Sequence, residues 1–283
     1  RYADAACYMA KELGRNRIHV HKAEDTELAS RHGEMQWVPR ITEALEQNRF
    51  ILYAQSIEAL GEQTGSHCEV LLRMVDERGC IIPPSAFLPA AERYGLIRGI
   101  DNWVVETALT LMASHSEFLK QVHLVSINVS GPSVDSVDFL DSVADKITKL
   151  GIDANKICFE ITETAAISKL NAARVFISKL RLLGCRFALD DFGSGLSSFR
   201  YLKNLPVDYL KIDGMFVKGM VDDRIDYAMV KSINEIGHVM DMKTIAEFVE
   251  TDEIKNKLIE IGVDYVQGYR IGKPEPFNEL LKR

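Results

Sequence analysis

The chain has 283 residues, of which 47% are hydrophobic and 27% are charged, and its formal net charge is −7. A chain of this length can bury a large core, and single α/β barrels of this size are common. The acidic balance argues against binding to nucleic-acid polymers, which requires a basic surface. It does not exclude a phosphate ligand, because bound divalent cations reverse the local charge of a site.

Membrane and disulfide-rich classes are also disfavoured by the sequence. No apolar run approaches the roughly 20 residues of a membrane-spanning helix, and no signal-peptide pattern opens the chain. The five cysteines are odd in number, scattered and never in a C-x-x-C pair. A disulfide framework or a zinc site is therefore not expected. These features favour a cytoplasmic location, with no membrane contact by this part of the protein.

The first residues do not have the pattern of a complete domain. Residues 1–25 combine one amphipathic helical stretch with one short alternating run, which together cannot close a core. We interpret 1–25 as the end of a preceding domain, 26–33 as a linker and 34–283 as the main domain. The helical spacing of Trp37, Ile41 and Ala44 predicts a helix that leads into the main domain.

From residue 50 onward, apolar strand-like runs alternate with amphipathic helical patterns. Alternating strands and helices predict a parallel sheet, and eight strands predict closure into a (β/α)8 barrel of the TIM type. The first two strands are joined by a short turn with Gly61 and Gly65, so one strand is expected to be antiparallel. The strand candidates are 50–57, 67–75, 122–130, 156–162, 186–190, 208–212, 243–247 and 264–267, and helices are expected at 103–112, 172–183, 228–239 and 254–261.

Polar side chains stand at the ends of seven of these runs. A lone acidic residue at a strand end is usually a loop residue or a helix cap. Seven in series favour one acidic site instead, because active sites on this fold lie at the carboxyl ends of the strands. The residues are Glu69, Asn128, Glu160, Asp190 with Asp191, Lys211, Glu247 and Gln267.

This set of oxygen ligands favours magnesium or manganese over zinc, because histidine is missing from it. Asp191 can hold a second cation beside the first if both adjacent aspartates turn inward at the strand end. Two cations a few ångströms apart suit in-line displacement at phosphorus. Lys211 would then orient the attacking water or a phosphate oxygen, and Arg73 could contact phosphate through two hydrogen bonds.

The motifs around these residues resemble the EAL-domain family of cyclic di-GMP phosphodiesterases over about residues 34–283. The start of the chain, up to Gly14-Arg15-Asn16-Arg17, resembles the end of a GGDEF domain, which implies a tandem GGDEF–EAL parent. Such a parent is expected in the cytoplasm or tethered to the inner membrane through preceding domains. The motifs are Glu69-Val70-Leu71, Asn128, Glu160-Ile161-Thr162-Glu163, Asp190-Asp191-Phe192-Gly193, Leu210-Lys211-Ile212-Asp213, the segment 247–251 and Gln267-Gly268-Tyr269.

The resemblance implies hydrolysis of cyclic di-GMP to linear pGpG with two Mg²⁺ or Mn²⁺ ions, and inhibition by Ca²⁺. Lys211 would hold the attacking water, and Glu163 would position the loop that begins at Asp190. A homodimer through the region 190–198 is also implied. Metal binding is assigned to Glu69, Asn128, Glu160, Asp190, Asp191 and Glu247, and contact with the dinucleotide to Gln55, Arg73, Asp213, Glu250 and Gln267.

Three departures from the family pattern bear on the site. Val70 replaces the signature alanine, and Ser56 stands where proline is usual. Phe248 stands where glycine is common, between Glu247 and Glu250, so its bulk can alter access to the site. Two rival interpretations remain: a non-catalytic cyclic di-GMP receptor and a scaffold that acts through dimer contacts. Degenerate receptors are expected to lose metal carboxylates, and this chain keeps them.

Overall fold

The computed structural model describes residues 34–61, 66–193 and 201–282, together with Ile18 and Val20. Apart from those two positions, the predicted domain remnant at 1–25 and the linker at 26–33 lie outside the described residues. The described residues fall into two compact units: a larger one within the bounds Ile51–Leu72 and Ile100–Arg283, and a smaller one within the bounds Arg1–Phe50 and Arg73–Gly99.

All eight predicted strands are present in the structure, with ends that shift by at most two residues. The strands are β1 (Phe50–Ala59), β2 (Ser66–Val75), β3 (Ile81–Ile82), β4 (Val122–Asn128), β5 (Ile157–Thr162), β6 (Arg186–Phe192), β7 (Tyr209–Ile212), β8 (Lys243–Ala246), β9 (Tyr265–Gln267) and β10 (Glu275–Pro276). The two additional strands, β3 and β10, have only two residues each, which is too short for an alternation pattern.

The helices are α1 (Trp37–Glu46), α2 (Pro84–Arg93), α3 (Ile97–Ser114), α4 (Ser116–Gln121), α5 (Gly131–Val134), α6 (Val137–Leu150), α7 (Glu163–Ser168), α8 (Leu170–Leu183), α9 (Gly214–Val217), α10 (Arg224–Val239), α11 (Asp252–Ile261) and α12 (Phe277–Leu280). The four helices predicted within the barrel region correspond to α3, α8, α10 and α11. The expected stops after α8 and α11 are confirmed, because Gly184 and Gly262 adopt φ values of 110° and 83°. In the described part of the chain, no helix is both long and apolar enough to span a membrane.

The larger unit is a closed eight-stranded barrel. Strands β2, β4, β5, β6, β7, β8 and β9 are neighbours in that order and run parallel to one another. Strand β1 is antiparallel to β9 and pairs with β2 to close the barrel. The predicted TIM-like barrel with one antiparallel strand is therefore confirmed. The parallel strands are apolar on both faces because helices cover the outside of the barrel.

Alternation along the strands divides the barrel interior into an apolar layer and a polar layer. The apolar layer contains Cys158, Ala188, Tyr209, Ile245 and Tyr265, which are all buried. Side chains two residues apart point to the same face of a strand. The residues two positions further along therefore also face the interior, and they form the polar layer: Glu160, Asp190, Lys211, Glu247 and Gln267.

A buried histidine completes the apolar layer. His67 lies two residues before Glu69, and its ring centroid is 5.8 Å from that of Tyr265 and 5.9 Å from that of Tyr209. Its Nε2 atom pairs with the hydroxyl of Ser126 at 3.0 Å. Burial lowers the pKa of His67 to about 3, with further lowering from His123 and Lys211, so the ring stays neutral. The apolar layer, which adjoins the polar layer, is therefore uncharged.

The smaller unit is organised around Phe87 of α2. The ring centroid of Phe87 is 5.8 Å from that of Phe50 and 6.5 Å from that of Trp37, which begins α1. The predicted leading helix is confirmed as α1, and its buried residues are Ile41 and Ala44. Strand β3 pairs antiparallel with the last two residues of β2.

Aspartates at the amino ends of two barrel strands bind the neighbouring strands. Asp208, just before β7, accepts a hydrogen bond from the backbone amide of Phe187 at 2.9 Å. Asp264, just before β9, accepts one from the amide of Thr244 at 2.9 Å, and also pairs with Lys243 and His238. Each aspartate thus fixes the start of the preceding strand in the barrel.

We expect Asp264→Ala to lower the free energy of unfolding by about 1–3 kcal/mol, because a nearly buried strand amide loses its acceptor. Burial acts to raise the pKa of Asp264, but hydrogen bonds from Lys243, Thr244 and His238 outweigh it and leave the pKa lowered. A lowered pKa stabilises the fold above the unfolded value of about 4, and this contribution is lost as pH falls below it. Urea unfolding at pH 7 and pH 3 measures both effects.

The exposed Asp141→Ala serves as the control, since Asp141 makes only a 3.9 Å ion pair with Lys179. Two results would contradict the role given to Asp264. One is an equal loss of unfolding free energy in both variants at pH 7, and the other is a loss in Asp264→Ala that is larger at pH 3 than at pH 7.

Candidate active site

The polar layer is centred on Lys211, whose side chain is completely buried. Lys211 is on β7, opposite Ile245 of β8, so its ammonium lies among the ends of the parallel strands. Its Nζ atom contacts carboxylate oxygens of Glu160 at 2.6 Å, Glu247 at 2.9 Å, Asp190 at 3.0 Å and Glu69 at 3.4 Å. One ammonium therefore joins carboxylates from four different strand ends.

Glu69 is held by amide groups as well as by Lys211. The side-chain amide of Asn128 donates to Glu69 Oε1 at 2.6 Å, and that of Gln267 donates to Glu69 Oε2 at 2.7 Å. Its two oxygens are thus oriented by side chains from two other strands, β4 and β9. The predicted convergence of Glu69, Asn128 and Gln267 is present in the structure.

The carboxyl groups of the polar layer respond differently to burial. Burial alone would raise the pKa of Glu69, but Lys211 and the hydrogen bonds from Gln267 and Asn128 leave it lowered. Burial raises the pKa of Glu160 to about 8 despite the pull of Lys211, and Glu69 and Asp190 add to the rise. Burial also raises the pKa of Glu247 well above its usual value. Lys211 therefore does not offset the whole cost of burying the charged forms of Glu160 and Glu247.

A bulge at the end of β6 brings two adjacent aspartates to the same site. The register between β6 and β7 shifts between Leu189 and Phe192, and Asp191 adopts a φ of 53°. Oxygens of Asp190, Asp191 and Glu247 consequently lie within 4.8 Å of one another. Burial and the charge of Asp190 raise the pKa of Asp191 to about 6. Oxygens of the two adjacent aspartates therefore lie close together as expected, although the Asp191 side chain is exposed.

The donor set fits divalent cations. Glu160 Oε1 is buried and has no hydrogen-bond partner in the described structure, although its other oxygen binds Lys211. An unpartnered buried carboxylate oxygen is costly unless a cation or a donor reaches it. Carboxylate oxygens and the Asn128 amide oxygen are the hard ligands that Mg²⁺ and Mn²⁺ prefer.

Glu163 binds residues on both sides of the segment 194–200. Its Oε2 atom accepts from the backbone amide of Gly193 at 3.0 Å, and its Oε1 atom accepts from the hydroxyl of Tyr201 at 2.6 Å. The buried Glu163 thus holds the exit of β6, and its expected role in positioning the whole loop that begins at Asp190 stays a prediction. Sequence reasoning missed Tyr201, because nothing local links it to a residue 38 positions earlier. Residues 194–198 of the expected dimer region lie outside the described residues.

A cavity of about 270 Å³ opens beside the polar layer. The predicted dinucleotide residues Gln55, Glu250 and Gln267 line it, and so do Glu69 and Glu247. Gln55 comes from the antiparallel β1, and its Nε2 atom donates to the carbonyl oxygen of Gly272 at 2.8 Å. The cavity also has two exposed aromatic side chains, Phe248 and Tyr269. The position of Phe248 at the cavity agrees with the expectation that its bulk affects access, whereas no role was predicted for Tyr269.

Gly268 permits the two segments of the cavity wall to touch. A Cβ atom at Gly268 would collide with the backbone of Val249. The amide of Val249 donates to the carbonyl oxygen of Gln267 at 2.9 Å, which continues the pairing of β8 with β9. This contact fixes the segment from Glu247 to Glu250 against Gln267.

Two predicted ligand residues are not among those that line the cavity. Asp213 accepts a hydrogen bond from the amide of Met215 at 2.8 Å and so caps α9. Arg73 belongs to the smaller unit, where it is half-buried in β2. The contacts expected for Asp213 and Arg73 with a dinucleotide stay predictions.

Comparison with known proteins identifies the family. The model of the EAL domain matches residues 39–274. The cyclic di-GMP phosphodiesterase PdeB of Shewanella oneidensis is 44% identical over 275 residues, which are 97% of this chain and 32% of that protein. The cyclic di-GMP phosphodiesterase PdeF of Escherichia coli is 40% identical over 242 residues, 86% of this chain and 32% of that protein.

Among solved structures, the PaMucR phosphodiesterase in complex with c-di-GMP superposes with a TM-score of 0.80 at 31% identity. The match covers 87% of this chain and 99% of that one. The chain therefore belongs to the EAL-domain family, whose barrel fold it shares. It spans about a third of the length of the two relatives described above.

We expect Lys211→Met to lower the free energy of unfolding by about 3–5 kcal/mol in the presence of a chelator, because it leaves buried carboxylates without their counter-charge. Added Mg²⁺ should recover part of that loss, since a cation can replace the missing positive charge. Thermal unfolding in EDTA and in Mg²⁺ measures both effects.

The matched control is Lys231→Met, which removes an exposed lysine paired only at 3.9 Å with Glu235. If the two variants unfolded at the same temperature in EDTA, the central role of Lys211 would be refuted.

Proposed function

We propose that this chain is a metal-dependent phosphodiesterase that hydrolyses one phosphodiester bond of cyclic di-GMP and releases linear pGpG. The observation that carries the proposal is the cluster of five carboxylates around the buried Lys211 at the carboxyl ends of the barrel strands. The names of the relatives described above support the same reaction and ligand.

Two Mg²⁺ or Mn²⁺ ions would be held by the carboxylates of the polar layer and the amide oxygen of Asn128. When bound, the ions would supply an activated water and neutralise the charge that develops at phosphorus. Glu69, Asn128, Glu160 and Asp190 would bind the first ion, and Asp191 the second, with Glu247 close to it. The distances among Asp190, Asp191 and Glu247 allow one ion to be shared by these three groups.

Lys211 would act on the reacting oxygens. Its pKa is raised well above the usual value, because the surrounding carboxylates Asp190, Glu160, Glu247 and Glu69 outweigh the effect of burial. The ammonium therefore keeps its proton and donates hydrogen bonds to an attacking water or to a phosphate oxygen. Gln267 and Gln55, which bond to each other at 3.3 Å, would fix the ligand beside that ammonium.

A non-catalytic receptor for cyclic di-GMP is the rival interpretation. The complete carboxylate set favours hydrolysis, because binding alone needs neither a second metal position nor the buried lysine. Incubation with cyclic di-GMP and Mg²⁺, followed by chromatography, separates the two interpretations. Formation of pGpG supports the phosphodiesterase, whereas binding of cyclic di-GMP without any product supports the receptor.

The proposal extends to the setting of the domain. We infer a homodimer that uses the region 190–198 and a cytoplasmic location for this domain. Neither a nucleic-acid polymer nor a membrane is an expected partner of this chain. Analytical ultracentrifugation with and without Mg²⁺ would test the dimer.

We expect Mg²⁺ and Mn²⁺ to support hydrolysis, and Ca²⁺ to permit ligand binding with little turnover. Ca²⁺ prefers oxygen ligands at longer distances and in looser geometry than in-line attack at phosphorus requires. Product release and calorimetric binding, each measured with the three ions, give the comparison. Turnover in Ca²⁺ equal to that in Mg²⁺, or activity that survives excess EDTA, would be evidence against the metal mechanism.

We expect Glu69→Ala to remove most of kcat, whereas Gln267→Ala mainly weakens binding, by roughly 1–3 kcal/mol. Glu69 would hold a metal that stabilises the transition state, while the uncharged Gln267 would orient the ligand before and during reaction. Steady-state kinetics and binding in Ca²⁺ on folded variants separate kcat from affinity. Equal losses of kcat in both variants would mean that Gln267 acts on the reaction itself.

A further inference from the structure

A second and larger cavity lies at the amino ends of the barrel strands. Its volume is about 760 Å³, within the range of about 300–1,000 Å³ that is typical of small-molecule sites. The starts of β4, β6, β7 and β8 line it, together with the end of α8. Active sites on this fold lie at the opposite, carboxyl ends of the strands, so the proposed hydrolysis gives this cavity no role.

Two guanidinium groups in this cavity share one carboxylate oxygen. Asp208 Oδ1 is 3.2 Å from Nη1 of Arg186 and 3.5 Å from Nη2 of Arg181. The other oxygen of Asp208 accepts from the amide of Phe187, so one carboxylate faces two positive charges. Among the described residues, Arg186 hydrogen-bonds only with Asp208. Most of its five N–H donors are therefore open to a ligand.

Two lysines add positive charge to the same cavity. Lys203 is exposed and makes no ion pair with any residue that the structure describes. Lys156 donates to the carbonyl oxygen of Val122 at 2.7 Å, and this contact places its ammonium at the cavity without neutralising it.

The carboxylates of the cavity do not balance these charges. Besides Asp208, the lining includes Asp153, which accepts from the amide of Asn155 at 3.1 Å, and the exposed Asp241. A further lining cation, Lys243, is neutralised by Asp264 at 2.7 Å. Four cations therefore remain against three carboxylates, in a chain whose net charge is −7. A concave surface with this local reversal of sign concentrates anions.

The inner wall of the cavity is apolar. Leu124 and Tyr209 belong to the apolar layer of the barrel, and Met242, just before β8, is also buried. All three line the cavity. An apolar wall with a few convergent polar groups is the usual composition of a site for an organic molecule. The ligand is therefore expected to carry a ring or an aliphatic body as well as a negative charge.

We propose that this cavity binds a phosphomonoester of about mononucleotide size, with its phosphate at Arg186, Arg181 and Lys203 and its ring on the apolar wall. A phosphate fits better than a carboxylate, because it carries up to two negative charges and so suits several cations. The planar fork of Arg186 can also donate two parallel hydrogen bonds to its oxygens. The site is independent of the proposed hydrolysis, since it lies at the other end of the barrel.

Calorimetry with AMP in EDTA tests the site, because EDTA keeps divalent cations from attracting the phosphate to the carboxylates of the polar layer. We expect AMP to bind with a Kd below about 1 mM, and Arg186→Gln to raise that Kd roughly 10- to 100-fold through the loss of charge-assisted hydrogen bonds. Arg186→Lys, which keeps the charge and loses the planar fork, should recover only part of the affinity.

Two further variants control for folding and for general charge. Lys203→Gln should also weaken AMP binding, and its melting temperature should equal that of the parent because Lys203 has no ion pair to lose among the described residues. Arg174→Gln removes an exposed arginine of α8 that does not line the cavity, so it should leave the Kd unchanged. If AMP bound equally well to the parent, Arg186→Gln and Lys203→Gln, its site would lie elsewhere and the proposal would be overturned.

Matched probes identify the class of ligand. Ribose 5-phosphate keeps the phosphate of AMP without a base, and adenosine keeps the base without a phosphate. We expect AMP to bind more tightly than either probe, and only AMP and ribose 5-phosphate to be weakened by Arg186→Gln. No binding of AMP at about 1 mM would refute the site. Equal affinities for AMP and ribose 5-phosphate would show a simple anion site without a contribution from the apolar wall.

Discussion

The site depends on one buried positive charge, the ammonium of Lys211. Four carboxylates from four strand ends lie within 3.4 Å of it, and its side chain has no exposed surface. Without it, like charges would be buried side by side, and their repulsion would be strong where water is scarce. Even with it, Glu160 and Glu247 have raised pKa values, since burial penalises their charged forms. A bound divalent cation would favour the charged forms of these carboxyl groups, which makes the site suited to such ions.

The barrel can concentrate so many charges because its interior is layered. The strands β5 to β9 each place an apolar side chain in one layer, with a polar one two residues further on, as Tyr209 and Lys211 show. The neutral His67 belongs to the apolar side of this boundary. The apolar layer stabilises the fold through hydrophobic burial, whereas the carboxylates of the polar layer are destabilising until they are paired. Stability and chemistry are thus separated along the barrel axis, as is general for this fold.

Much of this arrangement could be predicted from the sequence, for identifiable reasons. The eight barrel strands are short apolar runs with polar ends, and the glycines after α8 and α11 end their helices through local backbone preference alone. Helices α2 and α6 were not predicted, and neither was the Glu163–Tyr201 hydrogen bond, which joins residues that are distant in the chain. The cap that Asp213 provides to α9 shows that a residue in a family motif can also have a local structural role. Contacts that depend on tertiary approach have no local signal in the sequence.

Backbone strain lies at two of the strand ends that build the site. Asp191, near the end of β6, and Phe248, just after β8, both adopt left-handed φ values, each next to a carboxylate that contacts Lys211. At Asp191 the turn brings a second carboxylate inward, to within 4.8 Å of its neighbours. At Phe248 the same kind of turn presents a ring to the cavity, and the cost is higher because phenylalanine cannot offset it with a local hydrogen bond. A regular strand would direct successive side chains to opposite faces. The left-handed turns therefore allow adjacent residues to border the same site, one in contact with Lys211 and the next beside it.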